Sequence, residues 1–202
     1  ALYDGLIQRL PEHRIHTAKK TVVDDQDWSR VHLKYFNPIQ CAEKLWVVPS
    51  WHKAPDPSAV NIQLDPGLAF GTGGHATTAL CLSWLGQHDI QKKSVIDYGC
   101  GSGILAIAAY KLGADELHSV DIDPQALDAS RENARRNDID PTLLNISLPE
   151  DFNSEPVDLL IANILSGPLV EFAPKFAELV KPGGQILLSG ILETQANDIK
   201  QA

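Results

Sequence analysis

Apolar residues recur along this chain in two alternating rhythms. From residue 61 onward, short unbroken apolar runs such as "VDLLIAN" alternate with stretches whose apolar positions fall three and four apart. Unbroken short runs mark strands buried on both faces, and the wider spacing marks helices with one buried stripe. The pattern predicts helix 75–87, strand 94–99, helix 103–112, strand 116–121, helix 124–137, strands 142–147 and 157–163, helix 167–180, strand 185–190 and a helix from about 192. Such alternation defines an α/β protein with a parallel sheet covered on both faces, and right-handed crossovers make it doubly wound. Ligands of such sheets bind at the carboxyl ends of the strands, where the strand order reverses.

The rhythm is weaker upstream. Residues 1–23 read as a short helix ("YDGLIQRL") and a strand ("IHTAKKTVV"), too little to bury a core of their own. Residues 24–60 read as a linking segment, punctuated by Trp28, Phe36, Pro38, Trp46, Pro49, Trp51, Pro55 and Pro57. Within it "KLWVVPSW" predicts a strand, and "APDPSAV" is a linker or an ordered turn. The tryptophans are expected to pack against the domain that follows, residues 61–202.

Composition narrows the class. With 44% hydrophobic and 21% charged residues among 202, the chain is that of a soluble globular protein. No apolar run has the length of a membrane span, and no leader pattern opens the sequence, so a cytoplasmic protein is expected. The chain lacks methionine, and a piece of a longer polypeptide is expected. Cys41, Cys81 and Cys100 are far apart, as free thiols in a reducing compartment would be, and no metal site is expected. The net charge of −9 is unevenly placed. Residues 1–60 hold eight basic and seven acidic side chains, whereas residues 61–202 hold nine and nineteen. That acidic part is poorly matched to a phosphate backbone. It suits a basic protein or a cationic small molecule, or it simply keeps the domain in solution.

The segment "VIDYGCGSG" carries the strongest chemical signal. Asp97 ends a buried strand, and Gly99, Gly101 and Gly103 follow at every second position before a helix. Bare glycine backbone lets a ligand approach closely. The spacing departs from the dinucleotide fingerprint, and an acid ahead of the glycines would repel a pyrophosphate but attract a cation. Asp97, Gly99 and Gly101 are therefore candidates to contact a cationic ligand. In "SVDIDP", Asp121 is placed to accept hydrogen bonds from the two hydroxyls of a ribose, and Asp123 to cap the helix that starts at Pro124. Asn163 ends the apolar run "LLIAN". A neutral acceptor there can hold an amine, or the side chain can close a local turn, and the residues alone leave both open. His75 lies in the glycine-rich loop "AFGTGGHATT" and is expected to cap or pack. No nucleophile elbow, phosphate-binding loop or metal-ligand histidine pair is present.

Taken together, "LDPGLAFGTGGHATT", "VIDYGCGSGILAIAA", "DIDPQAL", "ANILSGPL" and "PGGQILLSGIL" resemble the class I methyltransferases that use S-adenosylmethionine. More narrowly they resemble the bacterial ribosomal protein L-eleven methyltransferase family. The glycine loop before the first strand makes the likeness specific. Gly74 and Ala76 depart from the Thr and Pro usual in that family. The resemblance implies a Rossmann-like sheet of seven strands, the last of them past Ala202. It implies that residues 1–23 are the remnant of an amino-terminal substrate-recognition domain. It also implies cofactor contacts at Thr78, Gly99, Asp121 and Asn163, and a loop 67–75 that folds over the methionine part, with Phe70 and Gly71 against it. Asn163 would be the catalytic residue. The activity implied is transfer of methyl groups to lysine side-chain and amino-terminal amines of a ribosomal protein by a monomer, leaving S-adenosylhomocysteine and needing neither nucleic acid nor a membrane. The alternative is a class I methyltransferase acting on a small-molecule or nucleic-acid amine. The acidic domain, and the lack of an aromatic residue after Asn163 to stack a base, argue against nucleic acid.

Overall fold

The computed structural model describes residues 36–65 and 75–202, all within the compact unit Tyr35–Ala202. The helix and strand expected in 1–23, Trp28, and most of the glycine loop with Phe70 and Gly71 lie outside the described residues.

Three short strands come first: β1 (Ile39–Ala42), β2 (Leu45–Val48) and β3 (Val60–Gln63). β2 pairs antiparallel with β1 and parallel with β3. The expected "KLWVVPSW" strand is thus β2, and the segment read as linking, residues 24–60, contributes β1, β2 and the first residue of β3 to a small sheet. The "APDPSAV" run is an ordered turn, in which Asp56 accepts hydrogen bonds from the Ser58 N–H (2.9 Å) and hydroxyl (2.6 Å).

The large sheet contains β4 (Ser94–Tyr98), β5 (Glu116–Val120), β6 (Ile146–Ser147), β7 (Val157–Asn163) and β8 (Val180–Ser189), in the order β6-β5-β4-β7-β8. Every pairing is parallel. Alternate residues of these strands feed two apolar clusters, as a pleated strand buried on both faces requires. On one face Val95, Leu117, Leu159 and Ile161 pack with α1 (Ala76–Gln87), α2 (Ile104–Lys111) and the inner side chains Leu45, Val47 and Ile62 of the small sheet. On the other, Ile96, Tyr98, Leu160 and Ala162 pack with α4 (Ser166–Glu171) and α5 (Ala173–Leu179) through Leu169 and Phe176. Ile104–Ala109 of α2 are all buried, which accounts for its lack of a polar face. α3 (Pro124–Arg136) is amphipathic. Asp138, with φ of 60°, ends it in a Schellman turn that returns the Ile139 N–H to the Ala134 carbonyl at 3.0 Å.

Three sequence expectations are corrected. The strand expected at 142–147 is a 3-10 turn, Pro141–Leu144, started by Asp140 accepting from the Thr142 N–H at 3.0 Å, and only Ile146 and Ser147 pair. The helix expected at 167–180 is split at Phe172, because Pro174 has no N–H to continue the ladder. The last strand begins five residues early, at Val180. Lys181–Gly184 then bulge out, so that Val157 faces Val180 while Leu159 faces Gln185. Beyond it, a 3-10 turn (Glu193–Gln195) leads into α6 (Ala196–Gln201). No helix among the described residues is long and apolar enough to cross a membrane.

Candidate functional site

The chain runs outward from β4 through β5 to β6, then returns to β7 on the other side of β4. The crevice at this reversal is bounded by the carboxyl ends of β4 and β7, which brings the "YGCGSG" turn opposite Asn163.

Gly99, Gly101 and Gly103 have φ of 82°, 53° and 75°, all in the left-handed region. A Cβ on Gly99 would also collide with the Ile164 side chain. The turn is hydrogen-bonded from both sides. The Val120 carbonyl accepts from the N–H groups of Gly99 (2.7 Å) and Cys100 (3.0 Å). From α3, the Ser130 hydroxyl donates to the Gly101 carbonyl at 2.9 Å, and the Asn133 amide donates to the Ser102 carbonyl at 2.9 Å. The sequence reading did not single out Ser130 or Asn133. The signal was there: both are polar residues on the apolar stripe marked by Ala126, Leu127 and Ala134.

The structure separates the roles of the acids. Asp97 is buried, and its Oδ2 accepts from the Ala106 N–H at 3.1 Å in the first turn of α2. Burial pushes its carboxyl up to about 7, against the pull of that N–H and with the like charge of Asp121 adding to the rise. The Asp97 side chain is thus engaged with a helix terminus. Asp121 follows β5. Its Oδ2 accepts from the Gly101 N–H (2.8 Å) and its Oδ1 from the Asp123 N–H (3.0 Å), which ties the glycine turn to the next βα turn. Asp123 caps α3 by accepting from the Gln125 N–H at 2.9 Å, as expected. Between the acids, Ile122 is 78% exposed, an apolar surface that the sequence reading passed over.

Across the crevice, the Asn163 side-chain amide donates to Thr78 Oγ1 at 3.1 Å. Thr78 is buried in the first turn of α1, so two expected site residues 85 positions apart meet directly. The Asn163 Oδ1 is left without a protein donor among the described residues. One residue earlier in α1, the Thr77 carbonyl accepts from the Ser189 hydroxyl at 3.1 Å, which pins the helix start to the end of β8. Nothing in the local pattern "QILLSG" distinguishes Ser189. His75 is at the cap position of α1, exposed, with Nδ1 2.8 Å from Thr77 Oγ1. Cys41, Cys81 and Cys100 are free and buried, and the burial pushes all three thiols up.

A doubly wound parallel sheet with a glycine turn after its first strand, an acid after its second and a polar side chain at the switch point is the architecture of a class I methyltransferase. The profile of the ribosomal protein L11 methyltransferase (PrmA) family matches residues 4–202, and the chain belongs to that family. It is 55% identical over 193 residues to the ribosomal protein L11 methyltransferase of Azotobacter vinelandii, covering 96% of this chain and 64% of the relative. It is 56% identical over 182 residues to that of Marinobacter nauticus, covering 90% and 61%. The chain therefore spans a little over three fifths of the length of these curated relatives. Among solved structures, the ribosomal protein L11 methylase of Lactobacillus delbrueckii subsp. bulgaricus superposes with a TM-score of 0.72 at 35% identity, covering 82% of this chain and 86% of that one.

Proposed function

We propose that this protein moves methyl groups from S-adenosylmethionine to lysine side-chain and amino-terminal amines of a ribosomal protein of the L11 type. The observation that carries this reading is the Thr78–Asn163 hydrogen bond at the switch point, opposite Gly99 and Asp121. The names of the relatives supply the substrate.

The crevice residues fit the cofactor. Each Asp121 oxygen uses one acceptor position on backbone, so lone pairs remain for the two ribose hydroxyls. Ile122 offers adenine an apolar surface. Gly99 and Gly101 present backbone without a Cβ, and the negative charge of Asp121 favours a cation. S-adenosylmethionine, when bound, supplies an electrophilic methyl group on a sulfur that already leaves readily, so no acid is required of the protein.

What remains for the chain is orientation. Thr78 accepts from the Asn163 amide, which fixes the carboxamide plane and leaves Oδ1 to accept an N–H of the substrate amine. A neutral acceptor aims the lone pair without stabilising the ammonium, as a carboxylate would. Free lysine has a pKa of about 10.4, and desolvation in the crevice favours its neutral form. Positioning of this kind is worth about 7–11 kcal/mol in the best cases. The proton leaves through solvent, and no side chain is assigned as base. A ribosomal substrate places the enzyme in the cytoplasm.

The test is transfer of radiolabelled methyl from the cofactor to purified ribosomal protein L11, ribosomal RNA and free lysine, offered separately. Label in the protein alone is expected. Label confined to RNA or the free amino acid would overturn the substrate assignment in favour of a nucleic-acid or small-molecule amine.

A further inference from the structure

A chain of buried side-chain amides joins the small sheet to the glycine turn. It starts at Gln63, the last residue of β3, which is an edge strand of that sheet. Asn137, just past the end of α3 and 74 positions away, pairs with both backbone groups of Gln63. Its Oδ1 accepts from the Gln63 N–H at 2.8 Å, and its Nδ2 donates to the Gln63 carbonyl at 2.8 Å. A carboxamide sets a donor beside an acceptor, so this one side chain stands in for a further strand at the edge. The same Nδ2 donates to the Asn133 carbonyl at 2.9 Å, one turn back in α3. The Asn133 side chain in turn donates to the Ser102 carbonyl in the glycine turn at 2.9 Å. Both asparagines are buried. A second tie runs beside the first: Arg136 Nη1 donates to Asp65 Oδ2 at 3.0 Å, and Asp65 Oδ1 accepts from the Ser50 N–H at 2.7 Å. At the other end of the chain α3 lies directly on the turn. A Cβ on Gly103 would stand 2.8 Å from Ser130 Oγ and 3.2 Å from Ser130 Cα, so a shift of α3 is passed to the turn.

We infer that Asn137 is a positioning residue of the cofactor site: it fixes α3 to the small sheet and, through Asn133, holds the glycine turn in the conformation that receives S-adenosylmethionine. The inference rests on the cofactor of the proposed function and makes the small sheet a part of what that site depends on. Asn137 touches neither cofactor nor substrate; it acts through the Asn133 side chain and the Ser102 carbonyl. Coupling of this kind is reciprocal, so a ligand held by the turn tightens the pairing of Asn137 with Gln63.

The test is calorimetric titration of S-adenosylhomocysteine into the Asn137→Ala, Asn133→Ala and doubly substituted proteins, with thermal melts to verify folding. Each single change is expected to weaken binding about tenfold. The double variant should be no more than about twofold weaker than the weaker single one, because both cut the same chain. In methyl transfer, KM for S-adenosylmethionine should rise while kcat at saturation stays within about twofold. Ser94→Ala, at the far end of β4, removes hydroxyl contacts with Asp158 and Lys181 and should lower the melting midpoint without weakening the ligand. Hydrogen exchange of the unaltered protein gives a reading that needs no variant. Saturating S-adenosylhomocysteine should slow exchange of the Gln63 N–H roughly threefold more than that of the Val60 N–H, which the Lys44 carbonyl holds within the small sheet. Equal binding by the folded Asn137→Ala protein, equal weakening in Ser94→Ala, or equal protection of Gln63 and Val60 overturns the inference and leaves the proposed function standing. If the unaltered protein binds no S-adenosylhomocysteine, the proposed function and this inference both fall.

Discussion

The two sides of the crevice are built by different means. On the β4–β5 side, the glycine turn is held by Val120, Asp121, Ser130 and Asn133, all within about forty residues of chain, with five hydrogen bonds between its backbone and the flanking elements. On the β7–β8 side, Asn163 and Ser189 reach α1 across 85 and 112 positions by one hydrogen bond each. The first side is a local motif, heavily cross-braced. The second is assembled by the sheet and lightly braced. Such a division suits the proposed reaction, in which the cofactor is gripped in a fixed place and a protein substrate comes and goes.

Disrupting the braced side should have the largest effect. Gly99→Val forces a side chain into the left-handed region and into Ile164, and is expected to cost about 3 kcal/mol or more. A lower midpoint in urea and loss of S-adenosylhomocysteine binding would be observed. An unaltered midpoint would show that the turn is less constrained than its φ of 82° implies. Next, the two sides should separate functionally. Asn163→Ala is expected to lower kcat on the order of a hundredfold with cofactor affinity nearly unchanged, and Thr78→Val about tenfold in the same direction. Asp121→Ala should do the opposite, weakening cofactor binding roughly 10- to 100-fold with a smaller effect on kcat at saturation. Calorimetric titration alongside kinetics tests this, and the reverse order of affinity losses would exchange the roles assigned to Asp121 and Asn163.

The last effect is on pH dependence. Asp97 binds its proton up to about pH 7 in the folded protein but only to about 3.9 when unfolded. Its contribution to stability is therefore full below pH 4 and lost as pH rises toward 7. Asp158 acts in the other direction. The Ser94 backbone N–H, then Lys181 and the Ser94 hydroxyl, hold its carboxyl down at about 2, so its contribution is present above about pH 4 and lost as pH falls through 2. Denaturant midpoints between pH 4.5 and 7.5 should decline with pH in the parent protein, and Asp97→Asn should flatten that decline. A parent profile without the decline would mean that Asp97 keeps an ordinary carboxylate pKa.

The amino-acid sequence by itself determined the alternation of strands and helices, the sheet's parallel sense and the glycine turn with its acids, because each follows from contacts between near neighbours in the chain. Periodicity placed β4, α2, β5, α3 and β7 within a residue or so, and Asp123 before Pro124 announced its own cap. Where a short-range rule met a competing one, the reading slipped: Pro141 and Pro174 interrupted patterns that looked regular, and Lys181–Gly184 bulged out of a strand. Tertiary structure alone decided that Asp97 turns toward α2, that Thr78 and Ser189 reach across the sheet, and that residues 39–63 join the core. Those outcomes depend on which elements become neighbours in space, and hydrogen bonds spanning 85 or 112 positions leave no periodic trace in the chain that makes them.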